Sequence, residues 1–571
     1  MTSYTNDAAK DQAVEGVRHA LGEAVELTPT LPPAGVAADL AIPCFPLAAR
    51  LGKSAEEIAS QLAHRVRSGV LLASVRAQGG YLNFTFARPV FAAGVMGELT
   101  QLKDRYGSSE VGAGRTVVID YSAPNVARPM SVGHLRSTIL GDALYRLYAF
   151  TGYRPIGDNH LGDWGTQFGT LLYAFTHWVD RDGYAVDPIA ELLRLYVKFD
   201  EEARNDPVLR DRAREWSLRL ERGDPQARAL WQEFIRHSQA EFQETYDLLG
   251  VKFDHTLGES FYEEMMPEVT EQATRQGVAI SNGGALIVRL DDEGINTPLI
   301  LRRSDGATLY ATRDLATAIY RIRTFAPAKI LYVVGADQRL HFRQLFAALR
   351  KLGYDDVEYV HVDFGLVRLP EGRMSTRRGR VVFLEDVLEE AIVRARRLVD
   401  EKNPELLEGE RAEVARIVGI GAVKYADLSQ NRVKNIVFDW DRMLSLDGDS
   451  APYLHYTYVR SRSILRKGEE VAAEGPYDGR AAATEEEWTL LKHLGRFPEV
   501  VHEAAQTYHP HQVANYLFQL AQAFHTFYHE VPVLQAEDDA LLRSRLQLVE
   551  GIATVMRTGL GLLGIRVPER M

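Results

Sequence analysis

The stretch from Ser122 to Ser137 constrains the fold more than any other part of the chain. Residues 115–121 before it form a short apolar run typical of a β-strand, and residues 135–150 after it carry apolar residues at helical spacing. A tight turn containing Gly133 joins the two segments. The sequence therefore predicts a strand–turn–helix unit, with the positive end of the helix dipole at the turn. Such a helix end binds anions, and His134 would add a hydrogen-bond donor to a phosphate group.

An isolated Gly-His pair also fits a strand-to-helix connection with an incidental histidine, so the rest of the chain has to decide between the two interpretations. Segments 153–159, 330–334 and 357–364 have the pattern of further short strands, separated by helix-length segments. This alternation predicts an α/β fold built on a doubly wound, parallel, Rossmann-type sheet. Ligands of such sheets bind beyond the carboxyl ends of the strands. The polar residues expected there are Asn125, Asn159, Asp163, Gly335, Asp337 and Gln338.

The remaining segments divide by their patterns. The first combines helical patterns with two strand patterns that meet at Gly79–Gly80, as in a hairpin, and predicts a small α+β domain. A charged helical block, interrupted near Asp206–Pro207 and Gly223–Pro225, predicts an insertion that splits the sheet. Long helical patterns at the end predict an all-α helical bundle. The predicted units are 1–105 (N-terminal α+β domain), 106–175 (first half of the sheet domain), 176–290 (largely helical insertion), 291–405 (second half of the sheet domain) and 406–571 (helical bundle).

Composition narrows the class of protein. The chain has 571 residues, 46% of them hydrophobic, and a single cysteine, Cys44, which excludes an internal disulfide and a cysteine-rich zinc site. The sequence has no targeting segment and no apolar run of about 18 residues, so we expect a cytoplasmic protein without a membrane anchor. The formal net charge of −12 disfavours a uniformly basic surface for nucleic acid. Basic residues are concentrated in two local runs, 373–380 and 460–467.

The segment from Pro124 to Thr138 resembles the signature of class I aminoacyl-tRNA synthetases, and within them that of the arginyl-tRNA synthetases. Ser131 stands where the family's His-x-Gly-His motif has its first histidine; a hydroxyl can hydrogen-bond a phosphate oxygen but carries no charge. Residues 372–379 resemble the family's Lys-Met-Ser-Lys-Ser loop, with Thr376 in place of the second lysine. Some members that lack this lysine carry a basic residue just before the first motif, where Arg128 stands here.

The resemblance implies a ligase that uses ATP, accompanied by Mg²⁺, to activate L-arginine as arginyl-adenylate and then transfers it to tRNA(Arg). We expect a monomer without zinc or another protein-bound metal. The resemblance also implies tRNA contacts by the N-terminal domain and by the Tyr-rich segment 452–461 of the bundle; the alternative for both is a packing role without a ligand. The implied catalytic residues are Arg128, Ser131, His134, Arg373, Ser375 and Arg377. The implied nucleotide-binding residues are Gly133, His134, Gly335, Val367, Met374 and Ser375.

A substrate guanidinium needs a fixed carboxylate, because burying it unpaired is costly. Tyr310 and Asp314 are four residues apart and share one face if the segment is helical, so we expect Asp314 to clamp the guanidinium beside the Tyr310 ring. The alternative is a surface ion pair of Asp314 with Arg313 or Arg321. By resemblance, the amino and carboxylate groups of arginine would be held by Asn125, His134 and Gln338, with Glu259 as a second carboxylate in the pocket.

Two other functions stay open at this point. Another enzyme of the same fold, activating a different amino acid, would share the phosphate-binding elements but not the Tyr310–Asp314 pair. A catalytically impaired, synthetase-like tRNA-binding protein would explain Ser131 and Thr376, which replace a histidine and a lysine of the family motifs.

Overall fold

A computed structural model describes residues 4–33, 35–67, 69–306, 308–368, 383–468 and 475–571. The strands are β1 (Leu40–Pro43), β2 (Leu72–Gln78), β3 (Tyr81–Phe86), β4 (Thr116–Asp120), β5 (Arg154–Asn159), β6 (His255–Thr256), β7 (Ala279–Asn282), β8 (Ala285–Leu290), β9 (Ile295–Arg302), β10 (Lys329–Tyr332), β11 (Glu358–His361), β12 (Val367–Arg368) and β13 (Ile436–Val437). The helices are α1 (Thr5–Leu21), α2 (Phe45–Leu51), α3 (Ala55–Ala63), α4 (Arg88–Leu102), α5 (Val132–Phe150), α6 (Thr166–Trp178), α7 (Arg181–Val186), α8 (Pro188–Asn205), α9 (Val208–Glu221), α10 (Pro225–Leu249), α11 (Met266–Arg275), α12 (Tyr310–Phe325), α13 (Arg339–Lys351), α14 (Leu384–Lys402), α15 (Glu408–Leu428), α16 (Trp440–Met443), α17 (Ala451–Lys467), α18 (Glu485–Thr507), α19 (His511–Glu530) and α20 (Asp539–Leu562).

A parallel sheet with strand order β11-β10-β4-β5-β6 forms the centre of the fold. Strand β4 lies in the middle and is buried along its whole length. Its last residue, Asp120, is in register with Tyr332 of β10 and Asp158 of β5, so the carboxyl ends of these strands lie side by side. Helix α5 connects β4 to β5, and α13 connects β10 to β11. This arrangement confirms the predicted doubly wound parallel sheet.

Helices α6 to α10 lie between β5 and β6 and form the charged helical block. Three of them begin with side-chain caps. Asp180 accepts the N–H of Asp182 at 3.2 Å in α7, Asp187 that of Ala190 at 2.8 Å in α8, and Asp224 that of Ala227 at 3.0 Å in α10. The antiparallel sheet that follows, of order β7-β8-β9, was not predicted from the sequence. Strand β7 buries only its first residue, so its sequence carries little hydrophobic periodicity. Strands β8 and β9 pair with each other although they lie on opposite sides of the predicted unit boundary after residue 290.

The N-terminal region contains an antiparallel sheet of order β1-β3-β2. Gly79 and Gly80 have φ values of 56° and 78°, as the two-residue turn of a hairpin requires, and they join β2 to β3 as predicted. Helices α1 and α4 contact α18 near the other end of the chain. There the indole N–H of Trp488 donates to Asp39 at 3.0 Å. The N-terminal region therefore packs directly on the C-terminal bundle.

The C-terminal region is helical, as predicted, except for the short strand β13, which pairs with β12. Helix α14 packs against α15, α17 against α20, and α18 against α19, which gives a bundle. Within the described ranges, no helix combines the length and the hydropathy needed to cross a bilayer.

Candidate active site

Helix α5 presents its N-terminus at the carboxyl edge of the central sheet. Ser131 precedes the helix in an extended conformation, with φ −92° and ψ 165°. Its backbone N–H donates to Nδ1 of His134 at 3.0 Å, so the neutral imidazole carries its proton on Nε2. Burial lowers the pKa of His134, which keeps the ring neutral near pH 7. The helix end therefore offers an anion its dipole, the N–H groups of its first turn and the Nε2–H of His134.

The loop between β4 and α5 holds several residues in left-handed backbone conformations. The φ angle is 73° at Ser122, 49° at Ala123 and 63° at Ala127, and each such residue costs on the order of 1 kcal/mol. Side-chain hydroxyls hold the loop in place: the N–H of Ser122 donates to Ser137 Oγ at 2.9 Å, and that of Ala127 to Ser238 Oγ at 2.8 Å. Strain that is stabilised in this way is typical of functional loops.

Asn125 lies in the same loop, where its backbone pairs with that of Gly162 after β5. A Cβ atom on Gly162 would lie 2.3 Å from Asn125 Oδ1, so glycine lets the Asn125 side chain approach the second loop closely. Gly258, after β6, lies equally close to Asp163, because a Cβ atom there would overlap the Asp163 carboxylate. The Asp163 carboxylate accepts hydrogen bonds from the N–H and the hydroxyl of Ser260 at 2.8 and 2.6 Å. The loops that follow β4, β5 and β6 are therefore packed together.

The end of β10 contacts α5 directly. The hydroxyl of Ser137, in the second turn of α5, donates to the carbonyl of Val333 at 2.6 Å. Two residues further on, Gly335 pairs through its backbone with Phe364, which follows β11. Gln338 comes immediately before α13 and is exposed. The candidate residues Gly335 and Gln338 therefore lie at the same edge of the sheet as the N-terminus of α5.

Tyr310 and Asp314 share one face of α12. Oδ2 of Asp314 accepts a hydrogen bond from Nε2 of His341 on α13 at 2.6 Å. The ring centroids of Tyr310 and His341 lie 5.2 Å apart. Asp314 keeps 30% of its side chain exposed, and Tyr310 is exposed as well. Both candidate side chains are therefore accessible to a ligand.

The alternative ion pairs of Asp314 with Arg313 and Arg321 do not form. Arg313 instead contacts Glu259 at 3.1 Å and Glu263 at 2.6 Å. Glu259, the predicted second carboxylate, therefore already has a cationic partner within the protein. Burial raises the pKa of Glu259, and the charge of Arg313 opposes that shift.

Arg321 is fully buried between α12 and the two central strands. Its guanidinium contacts Asp120 at 2.8 Å and Asp158 at 2.9 Å, at the carboxyl ends of β4 and β5. Burial raises the pKa of Asp120, and the charge of Arg321 opposes that shift. This buried cation therefore links α12, which carries Tyr310 and Asp314, to the strand that leads into α5.

Two further candidates lie at the borders of this region. Arg128 precedes α5, and its guanidinium carbon lies 4.0 Å from the centre of the Tyr196 ring on α8, as in a cation–π contact. Val367 begins β12 and pairs with Ile436 of β13.

The predicted second phosphate-binding element lies outside the described residues. This concerns Arg373, Met374, Ser375, Thr376 and Arg377. The described chain resumes beyond it, where Phe383 pairs through its backbone with Ser131. The N–H of Leu384 then donates to the carbonyl of Met130 at 2.8 Å. The chain that follows this segment therefore begins directly beside the N-terminus of α5.

Two residues of this region could not be identified from the sequence. The sequence around His341, a single histidine in a helical segment, does not indicate which side chain it contacts. From the sequence, Arg321 is expected only as a surface partner of Asp314. In the structure it is buried and pairs with Asp120 and Asp158. In both cases the partner comes from a segment that is distant in sequence, so no local pattern reveals it.

Comparison with known proteins gives matches along most of the chain. Residues 98–440 match the family described as tRNA synthetases class I (R), catalytic domain, residues 11–86 match the arginyl tRNA synthetase N terminal domain, and residues 454–571 match the DALR anticodon binding domain. An arginine–tRNA ligase of Chloroflexus aurantiacus is 47% identical over 549 residues, 95% of each chain. One of Halothermothrix orenii is 42% identical over 551 residues, 96% of each chain. The solved structure of Thermus thermophilus arginyl-tRNA synthetase matches with a TM-score of 0.85, at 26% identity and 100% coverage of both chains.

The parallel sheet, the helix N-terminus at its carboxyl edge and the matched catalytic domain define a class I aminoacyl-tRNA synthetase. Within this class the match extends to both flanking domains. The chain belongs to the arginyl-tRNA synthetases, a family of ligases.

Proposed function

We propose that the chain activates L-arginine with ATP and transfers the arginyl group to tRNA(Arg). The arginine carboxylate attacks the α-phosphate of ATP, pyrophosphate leaves, and a ribose hydroxyl at the tRNA end then displaces AMP from the arginyl-adenylate. Neither step needs a protein nucleophile, because positioning and electrostatic stabilisation supply the rate. One observation carries the proposal: the accessible Asp314 carboxylate lies on a helix that Arg321 joins to the strand leading into the anion-binding end of α5.

In this proposal the N-terminus of α5 binds the ATP phosphates. The Nε2–H of His134 donates to a phosphate oxygen and stabilises the charge that develops on pyrophosphate. Gly133 keeps the first turn free of side-chain bulk, and Gly335 and Val367 flank the nucleotide. The remaining phosphate contacts are assigned to Arg128, Ser131, Arg373, Met374, Ser375 and Arg377. Mg²⁺ arrives with ATP; the described residues contain no group of three or more His, Cys, Asp or Glu that could hold a metal ion.

The arginine side chain is assigned to Tyr310 and Asp314, and its amino and carboxylate groups to Asn125 and Gln338. The charge balance supports this assignment. Asp314 is hydrogen-bonded to His341, whereas the arginines nearest to it in sequence, Arg313 and Arg321, pair with other carboxylates. A cationic ligand can therefore be paired there, as burial of a guanidinium requires.

We assign tRNA recognition to the two flanking domains, with the anticodon at the bundle. Aromatic and basic side chains of α17 and α19 support this assignment. The rings of Tyr453 and His525 stack at 4.9 Å with an angle of 16°. The Arg460 guanidinium lies over the rings of Tyr456 and Tyr528, at 5.4 and 4.8 Å. Such groups stack on unpaired RNA bases. We also propose that the protein is cytoplasmic and monomeric.

The test is charging of a purified tRNA pool with each proteinogenic amino acid in turn, in the presence of ATP and Mg²⁺. We expect ligation of arginine alone. Ligation of another amino acid, or salt-sensitive tRNA binding without any charging, would overturn the proposal. Exchange of labelled pyrophosphate into ATP, with arginine and with or without tRNA, separates a failure of activation from a failure of transfer.

A further inference from the structure

His341 connects the two helices that carry the proposed arginine-binding residues. Its Nε2 donates to Oδ2 of Asp314, on α12, at 2.6 Å. Gln338 precedes it by three residues, immediately before α13. His341 therefore contacts the residue proposed for the guanidinium and follows the residue proposed for the other end of the amino acid.

The imidazole of His341 is itself fixed by packing. Its side chain is 12% exposed, and its ring centroid lies 5.2 Å from that of Tyr310 and 5.4 Å from that of Phe342. A packed donor restricts the rotation of its acceptor, and Asp314 keeps 30% of its side chain exposed. A carboxylate that is already ordered loses less side-chain entropy when a ligand binds.

The contacts around Asp314 also leave its carboxylate available to a cation. The adjacent cation, Arg313, is held by Glu259 and Glu263. The contact with His341 involves one of the two carboxylate oxygens, Oδ2. An ionised carboxylate has about four acceptor positions, so the bond from His341 leaves room for the N–H groups of a planar guanidinium.

We propose that His341 is a positioning residue for arginine. This role rests on the proposed function: His341 holds Asp314 in the orientation that receives the guanidinium and sets α12 relative to Gln338. His341 does not contact the reacting atoms. Its loss therefore weakens arginine binding more than turnover and leaves ATP binding unchanged.

The experiment compares His341→Leu, which removes the donor, with His341→Gln, whose amide N–H lies near the position of Nε2. Pyrophosphate exchange with tRNA present gives kcat and the KM values for arginine and ATP. We expect His341→Leu to raise the arginine KM by about 10- to 50-fold, the effect of losing a hydrogen bond to a charged group, with kcat and the ATP KM changed by less than about threefold. We expect His341→Gln to restore most of the arginine affinity. The matched control is His237→Gln, which alters another helical histidine–carboxylate contact, with Glu233 at 4.0 Å on α10, and should change nothing.

An unchanged arginine KM in His341→Leu would overturn the positioning role. An equal rise of both KM values, or equal effects of Leu and Gln, would also overturn it, since these results indicate packing alone. If the Leu variant does not fold, His341→Asn takes its place, because its shorter amide does not reach Asp314. Asp314→Asn separates the two proposals: a normal arginine KM there rejects the proposed function, whereas a raised KM beside a normal His341→Leu rejects only the role of His341.

Discussion

The N-terminus of α5 and the surroundings of Asp314 are built in different ways. At α5, Ser131 and His134 contact each other within one helical turn, and the backbone itself supplies the positive potential. Around Asp314, by contrast, His341 comes from another helix, and Arg313 pairs with Glu259 from a third segment. The first region needs only a local conformation, whereas the second depends on how distant segments pack and balance their charges.

The buried Arg321 is where the two regions meet, because it joins α12 to β4 and β5. The comparison therefore predicts that changes within either region affect one substrate, while a change at Arg321 affects both.

The largest effect is expected from Arg321→Met. Asp120 and Asp158 would remain buried without their cation, which costs about 3–5 kcal/mol. A lower midpoint of thermal unfolding, together with weaker binding of both ATP and arginine, would check this. Arg323→Met is the control on the same helix, because Arg323 pairs with Glu268 at the surface and should lose less than about 1 kcal/mol. Wild-type stability of Arg321→Met would show that the two regions are independent.

The next largest effect is expected from Asp314→Ala, which removes the carboxylate proposed to pair with the arginine guanidinium. We expect the arginine kcat/KM to fall by about 100- to 1,000-fold, with the ATP KM unchanged, as measured by pyrophosphate exchange. Asp211→Ala, on the exposed surface of α9, is the control. Full activity of Asp314→Ala at ordinary arginine concentrations would contradict the clamp.

The converse change is His134→Ala, which removes the Nε2–H donor from the end of α5. We expect kcat to fall by about 100-fold, with a smaller change in the arginine KM. Single-turnover formation of arginyl-adenylate measures this, and His177→Ala, at an exposed position of α6, is the control. If the arginine KM changed as much as kcat, the end of α5 would affect arginine binding as well, and the two regions would not serve different substrates.

A smaller effect is expected from Ser131→Ala. Oγ of Ser131 lies 3.2 Å from Nδ1 of His134, and one neutral hydrogen bond contributes about 1 kcal/mol. The backbone N–H of Ser131 remains to orient the ring, so we expect kcat to fall by only about two- to fivefold. A loss as large as that of His134→Ala would mean that the hydroxyl itself contacts the phosphate.

The smallest effect concerns the pH dependence of stability. Burial lowers the pKa of His134 below 6.5, its ordinary value. As the pH falls through that range, the unfolded chain binds a proton that the folded chain does not bind, so stability decreases. We expect the thermal midpoint of the wild type to fall more than that of His134→Gln between about pH 7.5 and 5.5. Equal falls would show that the fold does not hold His134 neutral.

Much of the fold could be predicted because its signals are local. The strand and helix on either side of Gly133, the turn at Gly79–Gly80 and the helix breaks near Asp206 and Gly223 each follow from residue type and spacing. The antiparallel sheet β7-β8-β9 could not be predicted, since its first strand is mostly exposed and its pairing depends on neighbours.

The candidate site divides in the same way. The helical spacing of Tyr310 and Asp314 correctly predicts that they share a face, but it gives no information about what the carboxylate contacts. The sequence offers Arg313 and Arg321 as partners because they are near along the chain. Both arginines instead pair with carboxylates of other segments, and the side chain that contacts Asp314 is that of His341.

The sequence by itself determined the α/β architecture, the strand–turn–helix unit around Gly133 and the family resemblance, because each depends on consecutive residues or on a short period. Only the tertiary structure decided which charges meet: Asp314 with His341, Glu259 with Arg313, and Arg321 with Asp120 and Asp158. The physical reason is that a buried or half-buried charge is stabilised by whichever opposite charge or donor the packing brings within about 3 Å, and sequence distance does not enter that energy.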